Sequence, residues 1–135
     1  MFKYISKYWL CQILGWGTMM AISLFFVYTS GKIDSNYTIS LLISCLLGIF
    51  ITHMMRYFIH YYSVLKKPVS SQLYYFIILT LIFSILFGGI SEAVDYIAGV
   101  NPERLQKYST AKRIFLSSFN SLWLIGIWNL IYYLY

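Results

Sequence analysis

The sequence predicts an all-α, polytopic membrane protein with four transmembrane helices in an antiparallel bundle. Of its 135 residues, 60% are hydrophobic and only 10% are charged. Water-soluble domains average about 25% charged residues, so ten basic and four acidic residues cannot cover a water-facing surface. These charges leave four uncharged stretches, residues 9–31, 35–55, 68–91 and 114–135, each longer than 20 residues. A helix rises about 1.5 Å per residue and a hydrocarbon core is about 30 Å thick, so about 20 apolar residues span it. The remaining segments are too short to fold separately, which excludes a soluble enzymatic domain, a nucleic-acid module and a disulfide scaffold. The net charge of +6 is then assigned to lipid headgroups.

Helix one is expected over 9–30. Lys3 and Lys7 resemble the charged start of a secretory signal, but the apolar run exceeds the ~7–15 residues of such a segment and lacks a small-residue exit. Residues 31–36, with Gly31, Asp34 and Asn36, form a turn into helix two, expected over 37–62. Lys66, Lys67 and Pro68 make a basic turn with a helix breaker before helix three, expected over 70–92. An exterior connection over 93–112 follows, in which Asn101, Pro102 and Glu103 have the order of an N-cap, a proline at the first helical position and an acidic first turn. Helix four is expected over 113–135, with a start at 101–103 as an alternative. Short connections make neighbours antiparallel. Cys11 and Cys45 then lie at different depths, beyond the ~7 Å Cα limit of a disulfide, and two buried free thiols are expected.

Four spans put both termini on one side. Lys3, Lys7, Arg56, Lys66 and Lys67 lie there, against Lys32, Arg104, Lys107, Lys112 and Arg113 opposite, so the positive-inside rule is balanced. The basic amino terminus and the compact Lys66–Lys67 turn favour cytoplasmic termini. Packing has a clearer signature: Ser40, Ser44, Gly48 and Thr52 recur every four residues on helix two, as do Thr80, Ser84 and Gly88 on helix three. Small residues at this spacing let backbones approach closely in lipid. Ser118, Asn120, Gly126 and Asn129 offer a small surface and interhelical hydrogen bonds on helix four.

Two groups of residues are candidates for chemistry. His53, Arg56 and His60 share one face of helix two and suggest a ligand or proton-responsive site. Arg56, however, lies about 28 Å along the helix from Tyr37, where its side chain reaches headgroups, and interfacial anchoring is the favoured reading. Glu92 and Asp95 sit three apart at the opposite membrane edge. Such carboxylates are candidates for binding a cation or pairing with a later Lys or Arg; a polar helix end is the plainer reading. The tyrosines at 4, 8, 57, 61, 62, 74, 75, 132, 133 and 135, with Trp9, read as an aromatic belt. Neither a nucleophile with a partnered base, a phosphate-cradling loop nor zinc spacing is present, so no catalytic residue, metal or other cofactor is expected.

Taken in order, several segments resemble the amino-terminal membrane region of LytS/YpdA-like sensor histidine kinases common in Bacteroidetes. The residues responsible are Tyr8, Trp9, Gln12, Gly15, Trp16 and Gly17 opening helix one; Thr52, His53, Arg56 and Ile59 closing helix two; and Trp128, Tyr132 and Tyr133 closing helix four. The resemblance implies an input module in the bacterial inner membrane. It would have cytoplasmic termini, a homodimeric state, and helix four leading to a cytoplasmic kinase domain that serves a response regulator. The chain departs from such a kinase in having neither a phosphoacceptor box nor a glycine-rich ATP lid, so it is not expected to be an enzyme. With about 24 residues in the longest connection, residues 90–113, there is no room for an extracellular ligand-binding domain. The stimulus is expected to be a membrane event, a partner, or a small ligand or ion at Glu92 and Asp95. The alternative is a complete small four-helix membrane protein serving as an accessory subunit, pore-forming effector or transporter-like oligomer. The bilayer is a partner on either reading, and nucleic acid on neither.

Overall fold

A computed structural model describes residues 7–31, 34–100 and 106–134. Among the described residues there are four α-helices, α1 (Lys7–Thr29), α2 (Ser35–Tyr61), α3 (Val69–Ile97) and α4 (Thr110–Leu134), with a 3₁₀ turn at Val64–Lys66. All four are long and apolar enough to cross a membrane, and no strand occurs among the described residues. The expected fold class is therefore the observed one.

Local chemistry sets the ends. Gly31 stops α1 in the left-handed region at φ +67°, where a residue without Cβ is unstrained. Asp34 then caps α2 by accepting from the Asn36 amide at 3.0 Å, satisfying one of the orphan donors at a helix start. Pro68 precedes α3 and carries no N–H of its own to satisfy. The Gln72 amide folds back to donate to the Lys67 carbonyl at 2.7 Å.

Helix α3 runs five residues beyond its expected end at 92. Glu92 and Asp95 do not break it, because each has a partner on another helix. It ends at Gly99, φ +67°, with the Val100 amide donating to the Asp95 carbonyl at 2.9 Å and the Gly99 amide to Tyr96 at 3.2 Å. This is a Schellman cap, closed by the buried Val100. Helix α4 begins at Thr110, so the connection is shorter than expected. The Asn101–Glu103 capping pattern lies outside the described residues.

Antiparallel order is visible in the pairs along each seam. Between α3 and α4, Gln72 meets Tyr133, Thr80 meets Asn129, Ser84 meets Ser121, Gly88 meets Ser118 and Glu92 meets Arg113. Between α1 and α2, Trp16 lies against Gly48, and Gln12 against Thr52. Trp16, Ile51, Met55, Phe83, Phe87 and Ile125 fill the centre, with Trp16 stacked on Phe87 at 6.5 Å between ring centroids. Phe25, Phe26, Leu46, Ile85, Phe119 and Trp123 point outward, the sense expected where lipid replaces water.

Two details differ from the sequence reading. Both cysteines are free, but Cys11 is exposed and only Cys45 is buried; depth within a bilayer does not decide which side of a helix faces its neighbours. Asn120 points outward while Ser121, one residue on, is buried, because successive helical residues are turned by about 100°.

Candidate functional site

The bundle carries a polar layer near each end. At the α3–α4 end, Glu92 and Asp95 are buried within α3 rather than fraying at its tip, at 8% and 4% exposure. One turn of spacing places both on the face that α2 and α4 cover. Arg113, in the first turn of α4, brings its Nε to 3.1 Å from Glu92 Oε2. Ser40, the first of the helix-two small residues, donates its hydroxyl to Asp95 Oδ2 at 2.8 Å. The other oxygen, Oδ1, is buried and meets no donor among the described residues. Glu92, Asp95 and Arg113 line one cavity of about 570 Å³ with Gly99 and Thr110. Among the described residues, two carboxylates share one guanidinium here. The chemistry of the cavity complements a cation or a hydrogen-bond donor. Since α3 has 29 residues and is about 43 Å long, it overshoots a ~30 Å hydrocarbon core, and this layer lies near the membrane edge.

At the opposite end the organising residue is Gln12, fully buried on α1. Its Nε2 lies 2.8 Å from the Tyr132 hydroxyl, 2.9 Å from that of Tyr8 and 3.1 Å from Thr52 Oγ1. Its Oε1 accepts from Thr52 at 3.2 Å. Three of the four helices are thereby joined through one amide. A buried amide in an apolar bundle is tolerated only when so satisfied. The Tyr8 hydroxyl also meets His53 Nδ1 at 3.1 Å, and the His53 ring stacks on Trp9 at 5.6 Å. Arg56 lays its guanidinium over the Tyr8 ring, 4.0 Å from the centroid, a cation–π contact.

His53, Arg56 and His60 thus turn toward α1, and only the first two join the aromatic cluster. The structure brings Glu92 and Asp95 together with Ser40 and Arg113, far from this group. Of the small-residue positions, Gly48 lies under Trp16, Thr52 joins Gln12, and Ser44 is half-buried. Thr80, Ser84 and Gly88 meet α4, where Asn129 donates to Thr80 Oγ1 at 2.9 Å and to the Phe76 carbonyl at 3.1 Å. Sequence reasoning named Gln12 only within the family resemblance and not as a site residue, and placed Tyr8 and Tyr132 in the aromatic belt, yet the Tyr132 hydroxyl points into the bundle. The available signal was an amide standing alone in the uncharged run of helix one. No protein-family model, curated protein or solved structure matches the chain.

Proposed function

We propose that this chain is the membrane-embedded sensory and anchoring domain of a signal-transducing histidine kinase, passing a membrane or extracellular signal to a cytoplasmic kinase domain. On this reading it is a homodimer in the bacterial inner membrane, with the end of the bundle that carries Lys7 and Tyr132 on the cytoplasmic side. The observation that supports it is the anchorage of α4. Arg113 binds Glu92 at one membrane edge, Tyr132 binds Gln12 near the other, and 19 residues of one helix, about 28 Å, connect them. A ligand or partner that recruits Glu92 or Asp95 changes the hold on Arg113. The resulting shift of α4 against the α3 seam is delivered at Tyr132 as a rotation or a piston movement.

The test is an immunoblot of source-cell membranes with an antibody against the amino-terminal segment, paired with phosphohistidine detection. A phosphohistidine-bearing species much heavier than 15.9 kDa is expected. A species at 15.9 kDa would remove the kinase reading and leave a small membrane protein, to be followed by liposome leakage and partner pull-down. Within the larger species, Asp95→Asn retains an acceptor for Ser40 and alters signal output; unchanged output refutes the input role of this layer.

A further inference from the structure

Helices α1, α2 and α4 enclose a second cavity, of about 320 Å³, at the Gln12 end of the bundle. Lys7, Arg56 and His60 line it from two helices, and Ile59, Leu65 and Ile131 form its apolar wall. All three described carboxylates, Asp34, Glu92 and Asp95, lie at the other end, and among the described residues the one ion pair is Glu92 with Arg113. Arg56 is half-buried, yet what steadies it is the Tyr8 ring rather than an acid. That ring is itself fixed, because its hydroxyl is held between Gln12 and His53. A guanidinium drawn partly out of water without a counter-ion is costly, and here it is held in a set position with its hydrogen-bonding fork uncommitted to any carboxylate among the described residues. Lys66 and Lys67 stand in the adjoining turn and add to the positive field.

We infer that this cavity binds a phosphate group. Arginine's planar fork matches phosphate oxygens two at a time, lysine supplies a point charge and imidazole an N–H donor. Arg56 lies five residues before the end of α2 at Tyr61, about 7–8 Å inside it, the depth at which headgroup phosphates meet basic clefts between membrane helices. The apolar wall suits the glycerol and first acyl carbons of a phospholipid, and the volume is at the small end for ligand sites, room for one phosphodiester. The same side chains recognise a soluble phosphate ester. This inference does not depend on the sensory reading.

Native mass spectrometry of the full chain, released from detergent containing equal phosphatidylglycerol and phosphatidylcholine, tests it. The wild type retains phosphatidylglycerol preferentially. Arg56→Gln and Lys7→Gln each lower that retention about five-fold, the usual effect of one basic residue near an anionic surface. Lys112→Gln leaves it unchanged; Lys112 also rests on a tyrosine ring, that of Tyr108 at 4.5 Å, but at the far end. Glycerol 3-phosphate at millimolar concentration distinguishes the sources: displacement of the lipid assigns the site to a soluble phosphate ester, and persistence assigns it to the lipid. Equal retention of the two lipids, undiminished retention in Arg56→Gln, or an equal fall in Lys112→Gln overturns the inference. Lys7 is exposed at the start of α1, so its substitution decides the matter even where Arg56→Gln fails to fold.

Discussion

Adjacent glycines on α3 give a measurement in which one seam is isolated from everything else. A Cβ added at Gly88 would collide with Ser118 Oγ and come within 2.8 Å of both the Ile114 carbonyl oxygen and the Ser118 amide nitrogen, whereas one added at Gly89 meets nothing within 4 Å. Backbone atoms cannot rotate aside, so Gly88→Ala must push α4 away from α3 and loosen Ser121–Ser84 and Asn129–Thr80 with it. Replacing a helical glycine by alanine gains up to about 1 kcal/mol, and that gain is common to both sites. Their difference is therefore the clash itself, about 1–3 kcal/mol for an overpacked interior. Stability can be followed by the rate at which a thiol-reactive fluorophore reaches Cys45 on heating, in a Cys11→Ser background, because Cys45 is only 7% exposed. Gly89→Ala should melt at or above the parent temperature and Gly88→Ala below it. Equal melting of the two would refute the close α3–α4 approach.

Other consequences are as direct. Arg113→Gln leaves Glu92 buried without its ion-pair partner and costs about 3–5 kcal/mol; Glu92→Gln combined with Arg113→Gln restores most of the loss, which a double-mutant cycle of thermal unfolding will show. Gln12→Leu strands the Tyr132 hydroxyl and lowers stability by about 1–2 kcal/mol, read as a drop in unfolding free energy, while Gln12→Glu does not rescue it because a carboxylate is costlier than an amide to bury at this fully enclosed position. In folded protein a membrane-permeant maleimide labels Cys11 promptly and Cys45 only after denaturation; simultaneous labelling would contradict the placement of Cys45 against Trp16.

The four spans were legible because charge spacing alone sets them: a bilayer allows few alternatives for 20 uncharged residues. The end of α3 was not, since Glu92 and Asp95 look like a polar terminus until Ser40 and Arg113, 55 and 21 positions away, are seen to meet them. The stop signal that governs, Gly99, was present in the sequence and was outweighed by the charges before it. Periodicity identified Gly88 and Gly48 as small positions, but not that one faces α4 and the other the Trp16 ring; period gives a face and says nothing of its neighbour. Gln12 was the least readable residue of the candidate site. Its partners come from positions 8, 52 and 132, and only the folded chain shows that an amide amid leucines and isoleucines faces three hydroxyls rather than a headgroup.

The two ends of α4 differ in how much play they allow. At Ser118 the helix lies backbone to backbone on Gly88, with no room to yield. At Tyr132 it is held by a hydroxyl facing an amide that has more acceptors around it than N–H bonds to give. Ser118 therefore acts as a fulcrum, with Tyr132 about 21 Å out along the lever. A tilt of about 5° there carries the tyrosine roughly 2 Å sideways, a distance that rotating hydroxyls can follow by exchanging partners around Gln12.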